Sequence, residues 1–114
     1  MFPDDQIAEL KLLCDSVASC DEATVSYILL RNLALPEGCV PAKVDALLCT
    51  NEREGYPSRL FLAEQVQSPF ARNWNFNGQI CQRTWHAFSW KVPATTMRLA
   101  QLVRAHLDGF RRAT

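Results

Sequence analysis

Cys81 is the residue of this chain best suited to covalent chemistry. It lies in a stretch without clear periodicity, and Arg72 and Arg83 flank it in the sequence. A cysteine in such a loop can be partly exposed, and nearby cations favour its thiolate, which is the nucleophilic form. Free cysteine is also among the residue types most often buried. A structural role for Cys81 therefore weighs about equally with a nucleophilic one.

The other candidate side chains carry weaker signals. His86 follows Cys81 by five residues and could orient or polarise a site, although a loop histidine with satisfied hydrogen bonds is the commoner case. His106 and Cys14 lie on predicted helix stripes, where packing is expected. A zinc site built from the cysteines and His86 lacks the paired short spacing typical of such sites, so we predict no metal and no cofactor.

Length and composition limit the classes of protein that the chain can be. It has 114 residues, 12 basic and 12 acidic side chains and 48% apolar residues. These values predict one globular domain, residues 1–114, rather than a disordered chain. No apolar run approaches the roughly 20 residues of a membrane span, and the acidic start Phe2-Pro3-Asp4-Asp5 is unlike a signal peptide. The zero net charge argues against a dedicated nucleic-acid binder.

The cysteines and the charge distribution add two expectations. Five cysteines are an odd number, and none forms a CxxC pair, so we expect no disulfide framework and a reducing location, the cytoplasm. Acidic side chains are concentrated in the first 64 residues, and Asp108 is the one acid beyond them. The second half could favour a nearby thiolate or an acidic partner, although solvated surface charge is the commoner meaning of such a bias.

Hydrophobic periodicity predicts an α+β domain. A first helix is expected from Asp4 to about Ser19, because apolar residues recur at helical spacing. These residues are Ile7, Leu10, Cys14 and Val17. Strands are predicted at 24–32, 44–48 and 58–66, where β-branched, aromatic or alternating residues lie between polar turns.

Residues 67–93 are predicted to form one long loop. They contain all three tryptophans and show little periodicity, and the aromatic side chains would hold the loop against the body. After Pro93, Thr95 or Thr96 can cap a last helix. Its apolar stripe would consist of Leu99, Leu102, Val103, His106, Leu107 and Phe110. The order is helix, antiparallel meander of three to four strands, long loop, helix, with the helices on one side of the sheet.

The segment that ends at Cys81 resembles the active-site segment of ubiquitin-conjugating enzymes. Asn73–Cys81 (NWNFNGQIC) places an asparagine eight positions before the cysteine, which is the family's spacing. Trp90–Pro93 (WKVP) is similar to the family's Trp-Ser-Pro, and Gly55–Pro57 (GYP) to its Tyr-Pro turn. The chain looks most like the compact bacterial branch, which antiviral defence operons encode beside an activating enzyme, a ubiquitin-like protein and a deconjugating metalloprotease.

The resemblance implies a fold like that of ubiquitin-conjugating enzymes (a UBC-like fold) and the activity of a cysteine-thioester acyl transferase. It gives catalytic roles to Cys81, Asn73 and His86. Cys81 would accept the C-terminus of a ubiquitin-like protein from an activating enzyme as a thioester and pass it to a lysine of a target protein. Asn73 would stabilise the tetrahedral oxyanion or shape the loop that does so. His86 or Arg83 would steer or deprotonate the incoming amine. The scheme involves no cofactor, no nucleic acid and no membrane.

Two alternatives stay open. Ala71-Arg72 stand where the family has His-Pro, which leaves open a non-catalytic module of the same fold that binds a ubiquitin-like protein or scaffolds a partner. Such variants normally lose the cysteine, whereas this chain keeps Cys81. An unrelated thiol hydrolase using Cys81 and His86 would need an orienting third group and a pocket. Only the conjugating enzyme would form a thiol-sensitive adduct with a ubiquitin-like protein in the presence of activating enzyme and ATP.

Overall fold

One antiparallel sheet of six strands forms the body of the protein. The computed structural model describes residues 2–93 and 96–111. The strands are β1 (Ser16–Glu22), β2 (Val25–Ala34), β3 (Lys43–Cys49), β4 (Arg59–Leu62), β5 (Trp74–Ile80) and β6 (Arg83–Phe88), in the sheet order β1-β2-β3-β4-β6-β5. The helices are α1 (Asp4–Leu10) and α2 (Leu99–Leu107), and a short 3₁₀ turn (Asp108–Phe110) follows α2. The edge strands β1 and β5 therefore have one neighbour each.

The predicted UBC-like fold is wrong. A UBC fold has a four-stranded sheet flanked by helices, whereas this chain forms six antiparallel strands with two short helices, which is a different class. Two segments account for the difference. Periodicity predicts a helix where β1 forms, and it predicts a loop where β5 and β6 form.

The first helix ends at Leu10, well before the predicted boundary near Ser19. Ile7, Leu10, Cys14 and Val17 do pack against one core. Only Ile7 and Leu10 belong to the helix, however, while Cys14 lies in the following turn and Val17 in β1. β1 then pairs with β2 along all seven of its residues. The backbone hydrogen bonds of that ladder outweigh the weak helical preference of a short segment, so periodicity selects the right core residues and the wrong element.

The middle of the sheet agrees with the sequence prediction. The strands predicted at 24–32 and 44–48 are confirmed as β2 and β3, and the strand predicted at 58–66 is the shorter β4. The last helix is also present, but its N-cap is Arg98 rather than Thr96. The alternative cap, Thr95, lies outside the described residues.

The predicted loop at 67–93 contains the hairpin β5–β6. Along β5, exposed amides alternate with less exposed residues: Asn75, Asn77 and Gln79 are exposed, and Trp74, Phe76, Gly78 and Ile80 are not. This alternation has the period of two of a strand. Asparagine is a poor strand former, and the turn that joins the two strands contains no glycine, so the usual hairpin signals are missing.

Each face of the sheet has its own core. The helix-side core joins both helices to the sheet and includes Leu10, Ile28, Leu30, Leu48, Leu60, Leu62, Val103, Leu107 and Phe110. The hairpin-side core consists of Tyr27, Leu47, Cys49, Phe61, Ile80, Trp85 and Ala87, each at most 2% exposed. Neither helix contributes to this second core, so the β5–β6 hairpin itself must bend back across that face to exclude water.

Side-chain contacts hold the hairpin in this position. The Arg83 guanidinium donates to the Asp45 carboxylate of β3, with Nη2 and Oδ2 2.9 Å apart. The rings of Phe61 and Phe76 pack edge to face, with their centroids 5.0 Å apart. Burial acts to raise the pKa of Asp45, but hydrogen bonds from the Asn32 backbone and from Arg83 outweigh it, so the pKa is lowered. The carboxylate is therefore held in its charged form against the hairpin.

The two helices contact each other through polar side chains at their ends. Arg98 reaches Asp5 and Glu9 of α1, with nitrogen–oxygen distances of 2.7 and 2.9 Å. The Gln6 Oε1 accepts the backbone N–H of Leu99 at 2.9 Å, which satisfies one donor at the start of α2. These contacts place α1 over the N-terminal end of α2.

His106 is a buried, neutral residue of α2. It is 4% exposed, and its Nε2 lies 2.8 Å from the Ser58 hydroxyl, within hydrogen-bonding distance. Burial first, and then the charge of Arg59, lower the pKa of His106 to about 4. The packing role expected for His106 from its helix stripe agrees with this environment.

Stability should fall as the pH drops from 6.5 towards 4. The unfolded chain binds a proton at His106 below its ordinary pKa of 6.5, whereas the folded protein binds it only near 4. The linked loss is about 3 kcal/mol. Urea unfolding at pH 7 and pH 4.5 should show most of this loss, about 2.4 kcal/mol. His106→Gln keeps a partner for Ser58 without titrating, so it should lose much less stability over this interval; an equal loss in the variant would contradict the assignment.

Candidate functional site

Cys81 occupies the tip of the β5–β6 hairpin. The connecting loop consists of Cys81 and Gln82, whose φ angles are +53° and +65°, and it joins Ile80 to Arg83 in direct register. Two-residue turns with positive φ at both positions normally contain Asn-Gly. Each non-glycine residue in this conformation costs about 1–2 kcal/mol. Other interactions of the tip must offset that cost.

Two links fasten the tip to β1. A disulfide bond joins Cys81 to Cys20, and the Cys81 backbone N–H donates to the Glu22 carboxylate, with N and Oε1 2.8 Å apart. The expectation that the chain has no disulfide is therefore wrong for this pair. The two cysteines are 61 positions apart in the sequence, and only the folding of the hairpin over the sheet brings them together.

The structure does not bring the three predicted catalytic residues together. Asn73 precedes β5 at the end opposite the tip, about 25 Å from Cys81 at 3.3 Å per residue. His86 pairs with Asn77, four residues or about 13 Å along β5 from Cys81, and its Nδ1 is buried with no hydrogen-bond partner among the described residues. An oxyanion donor must lie about 3 Å from the reacting oxygen. In this fold Asn73 is far outside that range.

The remaining cysteines have no activating environment. Cys14, Cys39 and Cys49 are free, and burial raises the pKa of each thiol. Within residues 2–93 and 96–111, no group of three or more His, Cys, Asp or Glu side chains is arranged to hold a metal ion. No helix in the same ranges is both long and apolar enough to cross a membrane.

A polar cluster around the buried side chains of Arg59 and Tyr56 lies near the opposite end of the hairpin, and no motif in the sequence points to it. Arg59 is 4% exposed; its guanidinium carbon lies 3.9 Å from the centroid of the Tyr56 ring. One Arg59 nitrogen donates to the Asn75 side-chain oxygen. The Asn75 amide donates to the Tyr56 hydroxyl at 2.8 Å, and that hydroxyl donates to Ser89 at 3.4 Å.

The environment of this cluster shifts the pKa values of its two titratable groups. Burial lowers the pKa of Arg59, whereas the hydrogen bond to Ser89, followed by bonds and charges nearby, lowers that of Tyr56. The adjoining cavity, lined by Arg59 and His106 among others, has a volume of about 10 Å³, which is close to the minimum for one water molecule. A substrate has no room there, and the contacts serve to join β4 to β5.

β1 presents an open strand edge. Its two-residue connection to β2 makes Glu22 and Val25 the hydrogen-bonded pair that closes the turn. Alternation along the strand then directs the backbone N–H and C=O groups of Val17, Ser19 and Asp21 away from β2. The strand sequence SVASCDE contains no lysine or proline, two residues that commonly block such edges.

A groove of about 390 Å³ runs beside this edge, on the helix side of the sheet. Its lining is apolar at one end and polar towards the β1–β2 turn. The lining residues include Phe2, Ile7, Val17, Ser19, Asp21, Ser26 and Ile28. The volume falls in the range of ligand pockets. Within the described ranges, Asp21 makes no ion pair and no side-chain hydrogen bond, so its charge faces the groove uncompensated.

Comparisons with protein families, with curated proteins and with solved structures give no match to this chain. The assignment of a function therefore rests on the geometry described above and on the sequence.

Removal of the Cys20–Cys81 bond should destabilise the oxidised protein by about 2–4 kcal/mol, because it closes a long loop in the unfolded chain. Urea unfolding of Cys20→Ser, of Cys81→Ser and of the double variant measures the effect. All three should lose the same free energy of unfolding, since either substitution breaks the one bond.

The matched control is the wild-type protein in reductant, which should unfold close to the variants. Cys14→Ser, at a free thiol, should respond to reductant like the wild type. Unfolding curves that reductant leaves unchanged in the wild type would contradict the presence of the bond.

Proposed function

We propose that the protein is a non-catalytic binding module that holds an extended segment of a partner protein as an added strand beside β1. The observation that carries this proposal is the position of an open strand edge next to a groove of about 390 Å³. Backbone hydrogen bonds along the edge would supply affinity, and the groove would select the side chains that enter it. Binding of this kind needs no nucleophile.

Acyl transfer through Cys81 is supported by the resemblance alone. Three features of the structure favour binding instead. The Cys81 sulfur is bonded to Cys20, so a thioester would first require reduction. Asn73 lies at the far end of β5, beyond reach of an acyl group on Cys81. The fold is not the one in which the family's motif works. Incubation of the reduced protein with activating enzyme, ATP and a ubiquitin-like protein tests the transfer, and a thiol-sensitive adduct lost in Cys81→Ala would support it.

Other surfaces are less suited to strand addition. A second groove, of about 370 Å³, is formed by loops and the C-terminal turn, so it offers no run of outward backbone groups. Its lining residues are Pro36, Glu37, Pro69, Phe70, Phe110 and Arg111. The other edge strand, β5, lines neither of these two grooves. β1 is thus the edge that combines free backbone groups with an adjoining pocket.

A cytoplasmic location is part of the proposal and rests on composition. In a reducing cytoplasm Cys20 and Cys81 would be thiols, so the bond between them would not oppose a thioester there, and the Glu22 carboxylate would hold the tip through the Cys81 N–H. An oxidising compartment would keep the two cysteines bonded. Alkylation of intact cells before lysis, followed by mass spectrometry of the Cys81 peptide, separates the two states. An unalkylated, bonded Cys81 in freshly quenched cells would count against the cytoplasm.

Ser19→Pro should abolish binding at β1. The substitution removes an outward N–H that a bound strand would use, while the bonds to β2 come from the neighbouring residues, so the fold should persist. Peptides selected from a random 12-residue display library provide the ligands. Their affinity should fall at least about tenfold in Ser19→Pro.

Ser19→Ala is the matched control, because it removes the same hydroxyl and keeps the N–H; it should bind like the wild type. Circular dichroism melting curves of both variants verify folding. Val17→Thr is a second test that leaves the backbone intact. It replaces a methyl group of the groove lining by a hydroxyl of similar size, so it should lower the affinity of the same peptides. Selected peptides that bind both Ser19→Pro and Val17→Thr with wild-type affinity would show that β1 is not the site.

A further inference from the structure

The groove beside β1 is polarised along its length. Val17, Ser19 and Asp21 alternate along the strand with residues of the opposite face, and all three line the groove. Val17 is the apolar member of the three, and Phe2, Ile7 and Ile28 add further apolar lining to the groove. Asp21, at the other end, lies about 13 Å away along the strand, at 3.3 Å per residue. An occupant would therefore meet hydrocarbon at one end and a carboxylate at the other.

The charge at the polar end is negative. Asp21 has no ion-pair partner within residues 2–93 and 96–111, and the next residue, Glu22, belongs to the opposite face, where its carboxylate accepts the Cys81 N–H. Arg31 is the one base in β1 and β2. It lies opposite Ser16, at the other end of β1. The groove therefore favours a cation next to Asp21.

We infer that the partner segment carries a lysine or arginine opposite Asp21 and, four positions later, a large apolar residue opposite Val17. The inference rests on the proposed function and names the partner chemistry. The order follows from antiparallel addition, which is how all the described strands of this sheet pair. Directly opposite residues share a face, so both anchors enter the groove. The aliphatic stem of the base lies along the floor while its head reaches Asp21.

A second copy of this chain is a poorer occupant than a basic partner. Antiparallel pairing of two β1 strands about Ser19 would place the Asp21 of each copy beside the Val17 of the other. It would also gather the Asp21 and Glu22 carboxylates of both chains at one interface without a base from either strand. Charge thus disfavours this self-association and matches a cationic segment.

Three capped heptapeptides of defined order test the inference by isothermal calorimetry and by NMR shifts of the β1 amides. The first, acetyl-Thr-Lys-Thr-Val-Thr-Leu-Thr-amide, has the inferred order. The second exchanges its Lys and Leu, so composition and charge are unchanged. The third replaces Lys by Glu. The first should bind at least about fivefold more tightly than the second and about tenfold more tightly than the third.

Asp21→Asn should remove most of the preference for the lysine peptide over the glutamate peptide. Added salt should lower the affinity of the first peptide for the wild type, but not its affinity for Asp21→Asn. Glu64→Gln, an exposed acid away from β1, is the control and should leave the preference unchanged.

Equal binding of all three peptides, lost in Ser19→Pro, would overturn the inference and leave the proposed function standing. Binding by none of them would overturn the inference, and the library selection then decides the proposed function separately. A rise in mass by sedimentation without peptide would favour the second copy and overturn it too.

Discussion

The β5–β6 hairpin has to cover the second face of the sheet, and the remaining features of the structure follow from that requirement. Both helices pack on one face, while the other face exposes large apolar residues of β2, β3 and β4 unless something lies over them. Ile80 and Trp85 complete a core there in which each member is at most 2% exposed. Burial of such residues is the main favourable contribution to folding. The hairpin tip therefore reaches β1, where the disulfide and the Glu22 carboxylate hold it.

This arrangement explains both the role of Cys81 and the availability of β1. A turn made of Cys81 and Gln82 is unfavourable by itself, and it persists because Cys81 is fastened to Cys20. The hairpin passes over the face of the sheet instead of pairing with β1, so the outer edge of β1 stays free. α1 ends at Leu10, and its Ile7 lines the groove beside β1 without filling it. β1 thus holds the hairpin tip through Cys20 and Glu22, while its outer edge stays free for the proposed partner strand.

The sequence predicts those parts of the fold that local pattern determines. Central strands β2 and β3 and the stripe of α2 carry strong apolar signals, and all are present. The errors fall where tertiary pairing decides: β1 has helical periodicity, and β5 combines amides with aromatics. The site is harder to predict from the sequence than the fold. The spacing from Asn73 to Cys81 corresponds to a loop in ubiquitin-conjugating enzymes, whereas an extended strand lies between the two residues here. In a strand, eight residues separate two side chains instead of bringing them together. The Cys20–Cys81 pair and the β1 edge depend on long-range pairing, which residue types alone do not encode.

Amide hydrogen exchange along β1 tests most directly whether the fold leaves this edge open. In the free, oxidised protein, the N–H groups of Ala18 and Cys20 should exchange slowly because they bond to β2, while those of Ser19 and Asp21 should exchange fast. A bound extended peptide should slow the second pair and leave the first pair little changed. Equal, strong protection of all four amides in the free protein would mean that another segment already covers the edge, and it would contradict the account.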